Sequence, residues 1–76
     1  MDQILEKTHL AEADRVIDDG MRRIDRQKQV VQESRQRGHD IHEAERLLAL
    51  LQKSLTIMQN YRSSILRELE KRPANP

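Results

Sequence analysis

Cysteine is absent from this chain of 76 residues, which also has two glycines, two prolines and a single aromatic residue, Tyr61. The absence of cysteine excludes disulfide frameworks, thiolate zinc sites and cysteine nucleophiles, and it fits a reducing compartment. The abundant residues, Leu, Arg, Glu, Gln and Ala, favour helix almost everywhere and sheet almost nowhere. We therefore predict an all-α fold.

A large net charge and a long apolar segment are also missing. Fourteen Lys and Arg oppose thirteen Asp and Glu, so the formal net charge is +1, and long-range attraction to a polyanion is weak. No apolar run approaches the ~20 residues that cross a bilayer, and the first residues lack the basic start and apolar core of a signal peptide. The sequence predicts a cytoplasmic protein without a membrane partner.

A seven-residue repeat organises the predicted first helix, which spans about residues 9–37. Large residues at one heptad position alternate with small or polar residues at the other, so the seam is thin and a neighbouring helix can approach closely. Gly20 lowers helix stability by about 1 kcal/mol relative to Ala, which indicates that a bulky side chain packs against it. The repeat consists of Leu10, Ala13, Ile17, Gly20, Ile24, Gln27, Val31 and Ser34.

Residues 1–8 leave alternatives open. Asp2 and Thr8 are both candidate N-caps, because either side chain can accept a hydrogen bond from the first helical turn. Ile4 and Leu5 are out of phase with the repeat. These residues form either a frayed end or an extra first turn.

The predicted turn covers residues 38–40. Gly38 suits the left-handed position that ends a helix, and Asp40 with Glu43 matches a capping box that opens the next one. The connection is short, so the helices become antiparallel neighbours. Helix two is predicted over about residues 41–72, and residues 73–76 are expected to form a disordered tail.

Paired residues in this hairpin should have numbers that sum to about 79. That register sets Gly20 against Met58 or Gln59. It also brings Arg62, which interrupts the apolar stripe of helix two, within reach of Asp14 or Asp18.

Helix two carries two parallel apolar stripes. The first completes the hairpin seam and comprises Ile41, Ala44, Leu48, Leu51, Leu55, Met58, Arg62, Ile65 and Leu69. The second contains the predicted oligomer interface, which comprises Leu47, Leu50, Ile57 and Tyr61, with Ser54 in the same row and Val16, Met21 or Val30 contributing from helix one. Together the stripes cover an arc of roughly 200°, which exceeds what one partner helix can bury. We expect a homodimer, as a four-helix bundle or an antiparallel coiled coil.

One cluster at the turn has metal-ligating side chains: His39, His42 and Glu45. A divalent ion is a weak alternative there, because Asp40 is expected to cap the helix and the other side chains suit a solvated first turn. The chain also lacks a glycine-rich phosphate loop and a serine or threonine nucleophile in a strained turn beside a histidine. The sequence thus predicts a protein that is not an enzyme and binds no metal or cofactor.

Arginines on the outer face of helix one raise the question of nucleic acid. Arg15, Arg22 and Arg26 project together, but acidic residues are interleaved with them and no aromatic side chain is present there to stack on bases. Ion pairs such as Asp18 with Arg22, and Asp19 with Arg23, explain the pattern better. A nucleic-acid partner is therefore not favoured.

Several runs resemble a group of short bacterial helical-hairpin proteins of unassigned function. They are His-Leu-Ala-Glu-Ala-Asp-Arg at 9–15, Gly-His-Asp at 38–40 and Ala-Glu-Arg-Leu-Leu-Ala-Leu-Leu at 44–51, with Met58 and Tyr61-Arg62 after them. This resemblance implies a bacterial cytoplasmic hairpin. The plan, although no motif, also resembles Rop, the regulator of plasmid copy number, a hairpin that dimerises and binds RNA loops. The predicted function is a self-associating protein-interaction or scaffold module with an unknown protein partner, and the alternative is a Rop-like RNA-binding regulator.

Overall fold

The computed structural model describes residues 3–71, with side chains from Ile4 onward. These residues form two α-helices, α1 (Gln3–Gln36) and α2 (His42–Lys71), packed against each other as a hairpin. The principal extents of the Cα trace are 63 × 14 × 12 Å, so the molecule is a rod about two helices wide. The prediction of an all-α helical hairpin is confirmed for the described part of the chain.

Helix α1 begins earlier than predicted, at the first described residue, Gln3. Thr8 therefore lies inside the helix, where its hydroxyl donates to the carbonyl oxygen of Ile4 at 3.0 Å. The alternative in which Thr8 caps the helix is wrong, because its side chain bonds back to the preceding turn instead. Asp2 and the predicted tail at 73–76 lie outside the described residues.

A glycine motif ends α1. Gly38 adopts a left-handed φ of 72°, which a residue with a side chain adopts only at an energetic cost. The N–H of His39 donates to the carbonyl of Ser34 at 2.9 Å, and the N–H of Gly38 donates to Arg35 at 3.1 Å. These two bonds define a Schellman motif and satisfy carbonyls that the helix end would leave unpaired.

The start of α2 is capped by Asp40. Its carboxylate accepts a hydrogen bond from the N–H of His42 at 2.9 Å, as the predicted N-cap requires. Residues 39–41 lie between the two helices and are not helical. The N–H of Glu45 donates to the carbonyl of Ile41 at 2.8 Å, which begins the hydrogen-bond ladder of α2.

The structure places Gly20 beside a different residue from the predicted one. A Cβ built on Gly20 would lie 3.5 Å from Cδ1 of Leu55, so the bulky neighbour of this glycine is Leu55, about one turn before the predicted Met58 or Gln59. Met58 lines the same groove. Nearer the turn, Val31 and Leu48, whose numbers sum to 79, line one groove, and Arg35 contacts Glu45.

Burial follows the seven-residue repeat when Leu10 and Ile41 are assigned heptad position a. Buried apolar side chains among the described residues are Ala13, Ile24, Val31 and Ile65. Half-buried residues of the seam are Leu10, Ile17, Gly20, Gln27 and Ser34 in α1, and Ile41, Ala44, Leu48, Leu51, Leu55, Met58, Arg62 and Leu69 in α2. All of these occupy positions a and d, which face the partner helix in a heptad seam.

Candidate interaction surface

Two flanks run beside the seam, one on each side of the hairpin. In an antiparallel pair, position e of one helix lies beside position e of the other, and g lies beside g. The ion-pair flank contains the e positions, namely Asp14, Met21, Lys28 and Arg35 in α1 and Glu45, Gln52, Gln59 and Leu66 in α2. The apolar flank contains Val16 and Val30 in α1 and Leu47, Leu50, Ile57 and Tyr61 in α2, at positions g and c.

Charged side chains cross between the helices on the ion-pair flank. Nη2 of Arg35 lies 3.2 Å from Oε2 of Glu45, and Nε of Arg62 donates to Oδ1 of Asp14. The prediction that Arg62 pairs with an acidic residue of helix one is confirmed, with Asp14 as the partner. These side chains are well exposed, so each pair contributes less than about 1 kcal/mol to stability.

Large side chains on the apolar flank remain exposed in the single hairpin. Leu47 and Tyr61 are each 47% exposed, Leu50 is 56% and Ile57 is 59%. From α1, Val16 is 47% exposed and Val30 is 42%. Large apolar side chains that are exposed side by side in this way are typical of an interaction surface.

Shallow, open grooves connect the two helices along the apolar flank. Val30 shares one groove with Leu47 and Leu50. Val16 shares another with Gly20, Ser54 and Leu55. Side chains of both helices therefore line each of these grooves.

Met21 lies on the other side of the hairpin. It is 50% exposed and, as an e residue, belongs to the same flank as Asp14 and Arg35. Of the three residues that helix one was predicted to contribute to the interface, Val16 and Val30 lie beside the second stripe of helix two, whereas Met21 does not.

Gln27 makes a contact that its polarity alone does not reveal. Its side-chain amide nitrogen donates to the main-chain carbonyl of Ala44 at 2.9 Å, in a part-buried position. The bond ties α1 to the first turns of α2 and helps to define the register. The signal available in the sequence was the position of Gln27 in the seam, where an uncharged polar group needs a partner.

Glu6 is a second residue of the seam that sequence reasoning missed. It is only 4% exposed and lines a groove with His9, Tyr61 and Ser64. Glu6 lies seven residues before Ala13, so it extends the d positions by one heptad. The prediction started the helix after this residue and therefore did not extend the repeat to it.

The histidine cluster at the turn has other interactions. Glu45 pairs with Arg35, and the N–H of His42 is bonded to Asp40. Within residues 3–71, no group of three His, Cys, Asp or Glu side chains is placed to hold a metal ion. His39 lies after the Schellman glycine and donates its main-chain N–H to Ser34.

The outer arginines are partly neutralised. Arg22 lies 2.8 Å from a carboxylate oxygen of Asp18 and 3.6 Å from one of Asp19. Arg15 and Arg26 are exposed. The predicted pairing of Asp18 with Arg22 is confirmed, and Arg22 also takes the contact to Asp19 that was predicted for Arg23.

Neither helix, over the residues that the structure describes, combines the length and apolar character needed to span a membrane.

Comparison with known proteins gives no match: neither a protein-family model, nor a curated protein, nor a solved structure is significantly similar to this chain.

Proposed function

We propose that this protein is a non-enzymatic interaction module that works as a homodimer. Two hairpins pack through their apolar flanks into a four-helix bundle, and the outer surfaces of the bundle bind a further protein. The observation that carries this proposal is that the exposed apolar side chains and the interhelical ion pairs lie on opposite flanks of the hairpin. Val16, Val30 and the second stripe of α2 lie on the same flank, while the interhelical ion pairs with Asp14 and Glu45 lie on the other.

The broad face of the hairpin that carries the apolar flank is large enough for a second copy of the chain. The hairpin measures 63 Å by 14 Å across its broad face, which corresponds to about 900 Å² as a flat rectangle. A stable protein interface buries about 800 Å² on each partner. A face-to-face dimer can therefore reach the standard size if the hairpins overlap along most of their length.

The thin seam also favours association. Alternate seam positions of α1 carry small or polar residues such as Ala13, Gly20 and Gln27, so the hairpin buries few large side chains within itself. A chain of this size, with no disulfide, has little core to stabilise it. Fully burying a large apolar side chain contributes roughly 1.5–3 kcal/mol, so a dimer would add stability that the single hairpin lacks.

Sedimentation equilibrium over a wide concentration range, with helicity followed by circular dichroism, tests the proposal. The wild-type chain is expected to be a dimer, and Leu50→Glu with Ile57→Glu is expected to be a helical monomer at the same concentrations. Gln52→Glu with Gln59→Glu is the matched control, since it adds the same charge with the same spacing on the ion-pair flank. A monomeric wild-type chain, or a double Leu50 and Ile57 variant that stays equally dimeric, would overturn the proposal.

RNA binding is the competing interpretation, and the ion pairs of Arg22 argue against it. A phosphate-binding surface needs positive charges that are not neutralised by their neighbours. Binding to an RNA hairpin that falls steeply with salt, and that disappears when Arg15, Arg22 and Arg26 are changed to Gln, would favour the Rop-like function. We expect no such binding at 150 mM salt, a condition typical of such assays.

A further inference from the structure

The apolar flank of α2 is symmetric about Ser54 to within one residue. Leu47 lies seven residues before Ser54 and Tyr61 seven after it, while Leu50 lies four before and Ile57 three after. The symmetry extends to α1, where Val16 and Val30 each lie seven residues from Arg23. Arg23 and Ser54 line the same groove, so the midpoints of the two rows are at the same level of the rod.

We propose that two copies of this chain pack antiparallel, apolar flank against apolar flank. The two-fold axis lies within the interface, perpendicular to the helices, and passes between Ser54 of one copy and Ser54 of the other. This inference rests on the proposed homodimer and specifies its geometry. A two-fold interface pairs each residue with its symmetry equivalent on the other side of the axis. Leu47 then meets Tyr61 of the second copy, and Leu50 meets Ile57 of the second copy.

The packing at the axis suits this arrangement. Ser54 is small and exposed, so the two α2 helices can approach closely where they cross the axis. Large side chains lie on both sides of it, at one and two turns. The α1 helices pack in the same way, with Val16 of one copy against Val30 of the other.

Charge complementarity supports the antiparallel direction. Asp19 lies four residues before Arg23 and Arg26 three after it, so the same two-fold axis brings Asp19 of each copy to Arg26 of the other. Asp19 lines the groove that contains Val16, and Arg26 lines the groove that contains Val30. Both charges therefore lie at the edge of the apolar flank.

Arg23 is the unfavourable group in this arrangement, because it lies near the axis and faces Arg23 of the second copy. Asp19, one turn before it on the same helix, offsets part of that charge.

A two-fold axis parallel to the rod fits less well. The contact between Arg62 and Asp14 shows which residues of α1 and α2 are level with each other. At that register, a parallel dimer would place Asp19 over Ile57 of the second copy and Arg26 over Leu50. Each charge would lose water without gaining an opposite charge, which is costly.

Disulfide cross-linking tests the axis directly, because the wild-type chain has no cysteine. A disulfide requires Cα atoms about 4.4–6.8 Å apart. Ser54→Cys places its thiol at the axis, so we expect it to form a covalent dimer at least tenfold faster than Ser64→Cys. Ser64 is the matched control, since it lies on the same flank beside Tyr61 but about 15 Å from the axis, and so about 30 Å from its own copy.

The outcomes separate the arrangement from the dimer itself. If sedimentation shows a dimer but Ser54→Cys cross-links no faster than Ser64→Cys, the antiparallel arrangement is overturned and the dimer stands. If the wild-type chain is a monomer throughout, the dimer and its arrangement both fail.

A charge exchange gives a second test. Arg26→Asp should raise the dissociation constant of the dimer about three- to tenfold, and adding Asp19→Arg should restore most of the affinity. Arg15→Asp, on the outer face, should have little effect. Failure of the exchange to restore affinity would overturn the pairing of Asp19 with Arg26.

Discussion

Arg62 reaches across the seam and donates from Nε to Oδ1 of Asp14. The arginine occupies heptad position a, where the other α2 residues are Ile41, Leu48, Leu55 and Leu69. Its side chain is nonetheless 38% exposed, and that of Asp14 is 53% exposed. The guanidinium group of Arg62 therefore lies at the solvent-exposed edge of the seam, while its aliphatic stem covers apolar surface.

Arg62→Leu should leave the free energy of unfolding unchanged or raise it by up to about 1 kcal/mol, because leucine completes the apolar row and an exposed ion pair contributes little. Asp14 would stay hydrated. Chemical denaturation followed by circular dichroism measures the change. The companion variant Asp14→Asn should lose less than about 1 kcal/mol, and that loss should shrink in high salt. A loss above about 1 kcal/mol for Arg62→Leu would show that the ion pair is more important than its exposure indicates.

The two glycines should respond to alanine in opposite directions. At Gly20 a Cβ meets Leu55 at an ordinary contact distance of 3.5 Å, so Gly20→Ala should raise the unfolding free energy by up to about 1 kcal/mol through helix propensity. At Gly38, where φ is 72°, Gly38→Ala should lower it by about 1–2 kcal/mol. Urea titrations at equal protein concentration compare the variants. Gly20→Leu should be destabilising, by about 1–3 kcal/mol, if Leu55 already fills the space.

The hydrogen bond from Gln27 to Ala44 predicts different effects for two glutamines on one helix. Gln27→Ala should lower the free energy of unfolding by about 1–2 kcal/mol, because it removes a part-buried bond of 2.9 Å and the packing of the side-chain stem. Gln29→Ala is the control, since Gln29 is exposed and its replacement should change stability by less than about 0.5 kcal/mol. Equal effects of the two substitutions in thermal or urea unfolding would show that this bond does not stabilise the hairpin.

Val30 and Met21 should differ in their effect on self-association, although both are exposed on α1, at 42% and 50%. Val30→Glu places a charge on the apolar flank and should raise the dissociation constant of the dimer at least tenfold, which is about 1.4 kcal/mol. Met21→Glu places the same charge on the ion-pair flank and should leave the constant within about threefold, as expected for a residue away from the interface. Sedimentation equilibrium distinguishes the two results. Dissociation by Met21→Glu alone would assign the interface to the opposite flank.

The helices, the turn and the alternation of seam residues could be predicted because each depends on local signals: the three- and four-residue steps, the left-handed glycine and the Asp40 cap. The exact neighbour of Gly20 could not be placed, because Leu55 and Met58 lie about one turn apart in the same stripe of α2 and both line the groove that contains Gly20. The flank of Met21 was missed for a different reason. An apolar residue next to a seam can lie on either side of it, and only the heptad assignment of both helices shows which side is shared with Leu47 and Tyr61.

The start of α1 illustrates a further limit. Ile4 and Leu5 are out of phase with the repeat, so an apolar pattern alone leaves the first turns undecided. The residue that occupies the seam there is Glu6, at 4% exposure. A prediction based on hydrophobicity does not place a glutamate in a helix seam. The seven-residue spacing from Glu6 to Ala13 is nonetheless that of the repeat.

Because the seam repeats every seven residues, the hairpin could be longer or shorter without a change in which side chains face each flank. Adding seven residues to each helix at matching levels would lengthen the hairpin by about 10 Å and return every later side chain to its original flank. Adding four to one helix would instead shift its a and d positions against those of its neighbour. The length of the hairpin would therefore change in whole heptads, while the apolar flank and the ion-pair flank keep their positions.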